Sequence, residues 1–399
     1  MLAALLAPFR SAPPEAKASR TAALVTLLST GAPRWTPRDY ASLAREGYAK
    51  NAIAFRAVRL IAEAVAALPL VLMDGAREVD RHPLLDLVRR PNPRLTGSAL
   101  MEAVASHLLV AGNAYVEAVA VDGRLRELHV LRPDRMRVVP GPDGWPEAFD
   151  YVVAGRSMRL SQEPVALDPD GRGAVPAVLH VAAFNPLDDH YGFAPLEAAA
   201  QALDLHNAAS AWNKALIDNA ARPSGALVYG GTGTLTDEQF DRLKGELENS
   251  FQGALNAGRP LLLEGGLDWR PLSLSPKDMD FEAARNSAAR EIALAIGVPP
   301  LLMGIPGDST YANYTEANRA LWRQSVIPMA RRIAEALVAW LGPAFGGDLA
   351  LVPDVDQVEA LAAERTGLWS RVGAADFLTS DEKRAAVGYG ARDRDAPAP

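Results

Sequence analysis

The corner Gly297-Val298-Pro299-Pro300 constrains this chain more than any other stretch, because it separates two long runs of helical periodicity and forbids their fusion. Gly accepts the left-handed conformation that closes a helix, and each Pro pushes the residue before it out of helical space. Upstream, Ser275, Pro276 and Asp278 set out a capping hydroxyl, a φ-locked ring and an early carboxylate, which predicts a helix start there. Phe281, Ala284, Ala288, Ile292 and Ala295 then recur at steps of three and four as an apolar stripe, while Glu282, Asn286 and Arg290 form a polar one.

Downstream, Leu301, Leu302 and Met303 lead into Gly304-Ile305-Pro306-Gly307-Asp308-Ser309-Thr310-Tyr311-Ala312, whose Gly, Pro, Asp and Ser content predicts an exposed loop. Asn313 with Glu316 is a second capping signature, and Leu321, Trp322, Ile327, Ile333, Leu337 and Leu341 predict a long helix kinked at Pro328. A polar loop clamped by two long helices is a device for placing a few residues at a set position. An ordinary helical hairpin would show the same local pattern.

At 399 residues the chain exceeds the size at which one core keeps growing, so two or three modules are expected, and 49% hydrophobic residues supply ample core. A net charge of -7 lacks the basic footprint of a protein that grips DNA, yet it lets a duplex pass without sticking. Without Cys there is neither a disulfide framework nor a thiolate metal site. The apolar opening Met1–Ala7 has no basic segment before it, and Ala52–Met73 carries Arg56, Arg59, Glu63 and Pro69, so neither a signal peptide nor a membrane anchor is expected.

Residues 1–34, rich in Ala, Pro and Ser, read as an arm that is extended or disordered until it meets a neighbour. Thr36, Pro37 and Asp39 predict a helix to about Ala49. Ile53 through Leu68 predict another, followed by a strand Leu70–Met73 and the Asp74-Gly75 turn. A further helix is predicted over Gly97–Ala111, stopped by Gly112. Ala114–Val121 and Leu125–Leu131 around Asp122-Gly123 predict a hairpin, with added strands at Met136–Val139 and Phe149–Val153. From Leu196 a helix of about 25 residues, roughly 38 Å, ends at Arg222-Pro223. Its apolar positions shift from Leu196, Ala199, Ala200 and Leu203 to Leu205, Ala209, Trp212 and Leu216, as if two surfaces were covered in succession. An α/β insert follows: strand Ala226–Tyr229, helix Asp237 to about Phe251, and strands near Leu261–Leu263 and Trp269–Leu274. A short strand lies within Gly342–Val352, helices are expected at Val355–Arg371 and from Thr379-Ser380-Asp381-Glu382, and the tail from Ala391 is expected to be disordered.

Chemistry is hard to find. Gly230-Gly231-Thr232-Gly233-Thr234 follows a strand but lacks the Lys of a phosphate loop. His180 and His190 flank Asp188 and Asp189, a possible metal or hydrolytic cluster, though a turn capped by those carboxylates is the stronger reading. Arg319, Arg323, Arg331 and Arg332 form a stripe that could meet phosphate or be consumed by Glu316, Glu335 and neighbouring chains. Trp212, Trp322 and Trp340 read as core or subunit interface.

Val298-Pro299-Pro300-Leu301-Leu302-Met303-Gly304, then Ser309 through Glu316, then Pro328 and Glu335, resemble the portal proteins of tailed bacteriophages. Gly112-Asn113-Ala114-Tyr115-Val116-Glu117 and Glu127 through Pro133 resemble the same family in the same order. The short, Ala-rich form is most similar to the compact siphophage branch and to portals of alphaproteobacterial gene transfer agents. The resemblance implies an α+β portal fold: wing 35–193, first stem helix 194–222, clip 223–275, second stem helix 276–297, tunnel-loop region 298–314, returning helix 315–352, and wing or crown helices 353–390. It implies a homo-oligomeric ring, a dodecamer, at one capsid vertex. Double-stranded DNA would be packaged and ejected through the ring without sequence reading. The major capsid protein, the large terminase subunit and a head–tail adaptor would be partners, with no cofactor, no metal, no catalysis and no membrane. Ile305, Pro306, Gly307, Asp308, Ser309, Thr310, Tyr311 and Asn313 would line the channel. Glu282, Asn286 and Arg290 would face it along the stem, and Thr234, Asp237, Arg242, Asn256 and Arg259 would belong to the docking clip. The rivals are a monomeric DNA-binding scaffold and a metal-dependent hydrolase built on His180–His190.

Overall fold

The computed structural model describes residues 35–166, 174–218, 225–229, 236, 238–239, 241–242, 245, 267–271, 281–306 and 310–389. Trp35 apart, these belong to the unit Thr36–Pro399. Its elements are α1 (Ala52–Ala67), β1 (Leu70–Asp74), β2 (Arg77–Val79), α2 (Pro83–Arg89), α3 (Gly97–Ala111), β3 (Asn113–Val121), β4 (Arg124–Leu131), β5 (Met136–Pro140), β6 (Pro146–Val153) and β7 (Arg156–Ser161). They continue as β8 (Val178–Ala182), α4 (Ala200–Asp218), β9 (Gly225–Tyr229), β10 (Leu267–Pro271), α5 (Phe281–Ile296), α6 (Tyr311–Leu321), α7 (Ile327–Leu341), β11 (Leu349–Pro353), α8 (Ala362–Gly373) and α9 (Ser380–Ala386).

The main core is helical. Asn51 starts α1 by accepting from the Ile53 and Ala54 amides, and α1 then buries Ala54, Ala57, Val58, Ile61, Ala62 and Val65. Against that face pack Leu100, Val104 and Leu108 of α3, Ile333, Ala334 and Leu337 of α7, and Ile292 of α5. Each fully buried Leu or Ile contributes roughly 1.5–3 kcal/mol, and the Ala positions let helix axes approach. Thr96 caps α3 through the Ala99 amide, and Gly112 ends it at φ 68°, as its sequence required.

Among the described residues all strand pairs are antiparallel, in the orders β11-β1-β2, β8-β3-β4, β5-β6-β7 and β9-β10, with one further short pair, Val165–Ala166 against Ala174–Val175. The β3–β4 turn has φ 51° at Asp122 and φ 71° at Gly123, the twin positive angles of a two-residue hairpin. Strand β7 escapes sequence reading, because Arg-Ser-Met-Arg-Leu-Ser is mostly polar and only Leu160 is buried. A second cluster holds Tyr115, Leu131, Met136, Phe149, Leu160 and Val178 between the β3 and β6 sheets.

Several expected boundaries move. Thr36 does not cap the first helix. Its amide donates to Asp204 at 2.7 Å, and Asp39 caps Tyr40–Ser42, which runs on as a π-helix over Leu43–Ala49. The helix expected from Leu196 is a one-turn helix, Pro195–Ala198, and then α4, separated at Ala199. The helix expected from Val355 starts late, after a 3-10 turn at Glu359–Leu361, whereas Thr379 and Glu382 form the expected capping box of α9. In the insert, β9 pairs with β10, and Thr236 exchanges hydrogen bonds with Gln239. The Gly230–Thr234 turn, most of the helix expected from Asp237, the strand at 261–263, the Ser275 helix start, the arm 1–34 and the tail from 391 lie outside the described residues.

Candidate functional site

The segment around the Gly297 corner is built from α5 upward. The helix ends where Gly297 takes φ 90°, and Val298 donates back to Ala293 O at 2.8 Å. A Cβ on Gly297 would meet Ser325 Oγ at 2.9 Å, and that same hydroxyl donates to Gly297 O. The Gly is therefore demanded twice, by its backbone angle and by the close approach of the returning helix. Pro300–Met303 forms a 3-10 turn closed by Gly304 at φ 69°.

The first residue beyond is not exposed, as the loop composition had suggested. Ile305 is 6% accessible and packs on Ala289 and Ala293, with Ile53 and Met303 beside it. The two Ala side chains are small enough to admit it, so the loop leaves α5 from an apolar anchor. Next to the anchor, the Arg290 guanidinium donates to the Pro306 carbonyl. Arg290, expected to face a channel along the stem, thus ties the loop to the helix. Glu282 is exposed and Asn286 half-buried. Gly307, Asp308 and Ser309 lie outside the described residues.

The chain re-enters helix earlier than Asn313 predicts. Thr310 is the cap, at φ -106° and ψ 156°, accepting from the Asn313 amide at 3.2 Å, so Tyr311 and Asn313 are helical. The Pro328 kink is also relocated. Trp322–Val326 is a π-helical segment in which the Ile327 amide reaches Trp322 O, and this wider turn precedes the residue that has no N–H to give. Of the arginine stripe, Arg319 contacts Glu316 at 2.8 Å and Glu364 at 3.2 Å, Arg323 contacts Glu364 at 3.2 Å, and Arg332 donates to Ala182 O. Three of the four are thereby engaged within the chain. Among the insert residues, Arg242 is exposed, while Thr234, Asp237, Asn256 and Arg259 lie outside the described residues.

Two residues of the hydrolase rival, His180 and Asp188, are engaged in structure. His180 stacks on Tyr115 with ring centroids 4.3 Å apart and meets Asn113 Oδ1 at 2.9 Å; burial pushes its imidazole down to about 4. Asp188 accepts from the His190 and Tyr191 amides at 2.7 and 2.9 Å, which holds its carboxyl below the usual range. Among the described residues, no three His, Cys, Asp or Glu side chains gather as a metal site would need, and no helix is long and apolar enough to cross a membrane.

Residues 52–388 match the family described as Phage portal protein. This chain belongs to the phage portal protein family. An uncharacterised protein of Rickettsia bellii is 41% identical over 346 residues, 86% of this chain and 88% of that one. A probable portal protein of Streptomyces phage phiC31 is 27% identical over 83% of this chain and 73% of its own length. A solved chain from the neck of an empty gene transfer agent (GTA) particle, computed with C6 symmetry, is 52% identical, covers 92% of this chain and 99% of its own, and superposes with a TM-score of 0.70. One from the neck of a native GTA particle with C12 symmetry is also 52% identical, covering 94% and 100%, with a TM-score of 0.67. The α+β architecture described above is the portal fold, and its Gly297–Pro306 corner is held to α5 by the buried Ile305 and by Arg290.

Proposed function

We propose that this portal protein closes with copies of itself into a ring at one vertex of a GTA or phage particle, and that double-stranded DNA enters and leaves through the ring. The observation that carries this is the 52% identity, over nearly the full length of both chains, to the neck protein of a GTA particle. Its C12 symmetry supports a dodecamer. Surface chemistry agrees: on α4, Leu205, Ala208, Trp212 and Ala215 recur at helical spacing and all remain exposed, Trp212 at 47% although it meets Phe281, an apolar stripe that the protomer covers only in part. The role is mechanical, not catalytic. Residues 35–193 act as wing, α4 and α5 as stem, 223–275 as the clip that docks the large terminase subunit and the head–tail adaptor, and 353–390 as wing or crown, with the major capsid protein around the ring. The segment from Ile305 to Asn313 is the stretch of the chain that meets the channel.

Purified protein should run in light scattering at the mass of a ring and show a central hole in negative stain; a monomer would overturn the proposal. Ser309→Arg should leave ring yield unchanged yet lower packaged DNA per particle, since it adds one phosphate-attracting cation per subunit. Thr310 is left intact in this test because its hydroxyl caps α6.

A further inference from the structure

Asn51 is one of two buried polar side chains among the described residues, and its orientation follows from its bonds. Its Oδ1 accepts the Ile53 and Ala54 amides, each at 3.1 Å, so its Nδ2 points the other way. There it donates to Asn207 Oδ1 at 3.0 Å and meets His206 Nδ1 at 3.1 Å, both on α4. Asn207 is fixed as well, because its own Nδ2 donates to Glu46 O at 2.9 Å. That carbonyl is the one the end of the π-helix passes over, since Lys50 donates to Arg45 O and Asn51 to Gly47 O. Two asparagines thus bind α4 to the start of α1 and to the segment before it, within a turn of Ala209, beyond which no described residue of α4 is buried.

An amide nitrogen only donates, so His206 Nδ1 has to carry the lone pair, and the ring is neutral with its proton on Nε2. Protonation would set a donor against a donor, and Asn51 cannot turn its oxygen to meet it without uncapping α1. The surrounding charges do not favour the cation either. Partial burial and Arg285 on α5 both hold the imidazole below its ordinary 6.5. On the neighbouring elements Glu46 is taken by Lys50 at 2.7 Å, and Asp204 by the amide and hydroxyl of Thr36. We propose that His206 is a proton-operated catch for α4: neutral, it holds the helix to α1 through Asn51, and protonated it lets this part of the helix come away. The inference goes beyond the portal reading and does not depend on ring closure, since every bond in the catch lies within one chain. The released imidazole takes a proton more readily than the held one, so the catch is whole above pH 6.5 and is given up as pH falls below it.

Hydrogen exchange of the full-length protein at pH 7.5 and pH 5.5, corrected for the intrinsic pH dependence of exchange, reads the catch in peptides over 200–210. Their protection should fall about tenfold more than that of α7, which contains no His, packs in the same core and so reports global loosening. His206→Gln should abolish the difference, because Gln can offer its carbonyl oxygen to Asn51 and does not titrate. Arg285→Ala touches no bond of the catch and should move the midpoint of the loss to higher pH, since it removes a cation that opposes protonation. Equal falls in α4 and α7, no fall in either, a pH-dependent fall retained in His206→Gln, or an Arg285→Ala midpoint at or below that of the wild type would each overturn the proposal.

Discussion

Two imidazoles, His107 and His180, sit at about 4, well under the ordinary 6.5, because burial penalises their charged forms. His107 also feels Asp134 and Arg132, and His180 feels His190. Their unfolded values lie above their folded ones, so the unfolded chain takes up the protons first. The stability they carry is complete above pH 6.5 and falls as pH drops from 6.5 towards 4, by roughly 2 kcal/mol each at pH 5. Urea midpoints at pH 7.5 and pH 5 should show the loss, and His107→Gln should reduce it; an unchanged midpoint would mean these rings are solvated. Gly112 carries a second single-residue constraint, since a Cβ there would lie 2.5 Å from Gly192 O while φ is 68°. Gly112→Ala should cost more than about 2 kcal/mol, against about 1 kcal/mol for Gly144→Ala, where φ is 85° but nothing lies near, and urea denaturation compares the two directly.

The elements around the loop divide into what local sequence dictates and what only contact decides. Gly297, Pro299 and Pro300 announce the end of α5 from their own backbone limits, as Gly112 and Asp122-Gly123 do for α3 and the β3–β4 hairpin. The burial of Ile305 and the Arg290–Pro306 contact were not legible, since both depend on α5 facing the chain that leaves it. The choice of Thr310 over Asn313 as cap was half legible: both residue types cap, and the earlier one gives the helix more backbone hydrogen bonds. The π segment at Trp322–Val326 has no signature beyond the Pro328 that follows it. If Ile305 is the anchor, Ile305→Ala should cost about 2–4 kcal/mol in thermal unfolding. Arg290→Ala should leave the melting temperature nearly unchanged, yet speed protease cleavage between Gly304 and Thr310. Equal cleavage in wild type and variant would mean the guanidinium does not hold the loop.

For the whole molecule, the exposed apolar stripe on α4 is the contact between copies that the proposed ring would use. Leu205→Glu with Trp212→Glu should give folded monomers by light scattering with unchanged circular dichroism; rings from that variant would place the contact elsewhere. Ordered family motifs made the architecture readable; of the positions after Leu203 expected to cover a second surface, Leu205 and Trp212 are exposed, whereas Ala209 is buried within the protomer. Long-range pairing was beyond reach, because alternation along a strand does not name its neighbour. One such pairing bears on how the protein is made. Strand β1 lies between β2, which follows at once, and β11, with Leu70 opposite Pro353 and Asp74 opposite Leu349. At about 5–20 residues per second, β11 leaves the ribosome on the order of tens of seconds after β1. For that interval Leu-Val-Leu-Met has one open edge, the kind of edge at which a strand can mispair. Because β11 comes at residues 349–353 of 399, the sheet that β1 starts cannot be completed until translation of the subunit is nearly finished.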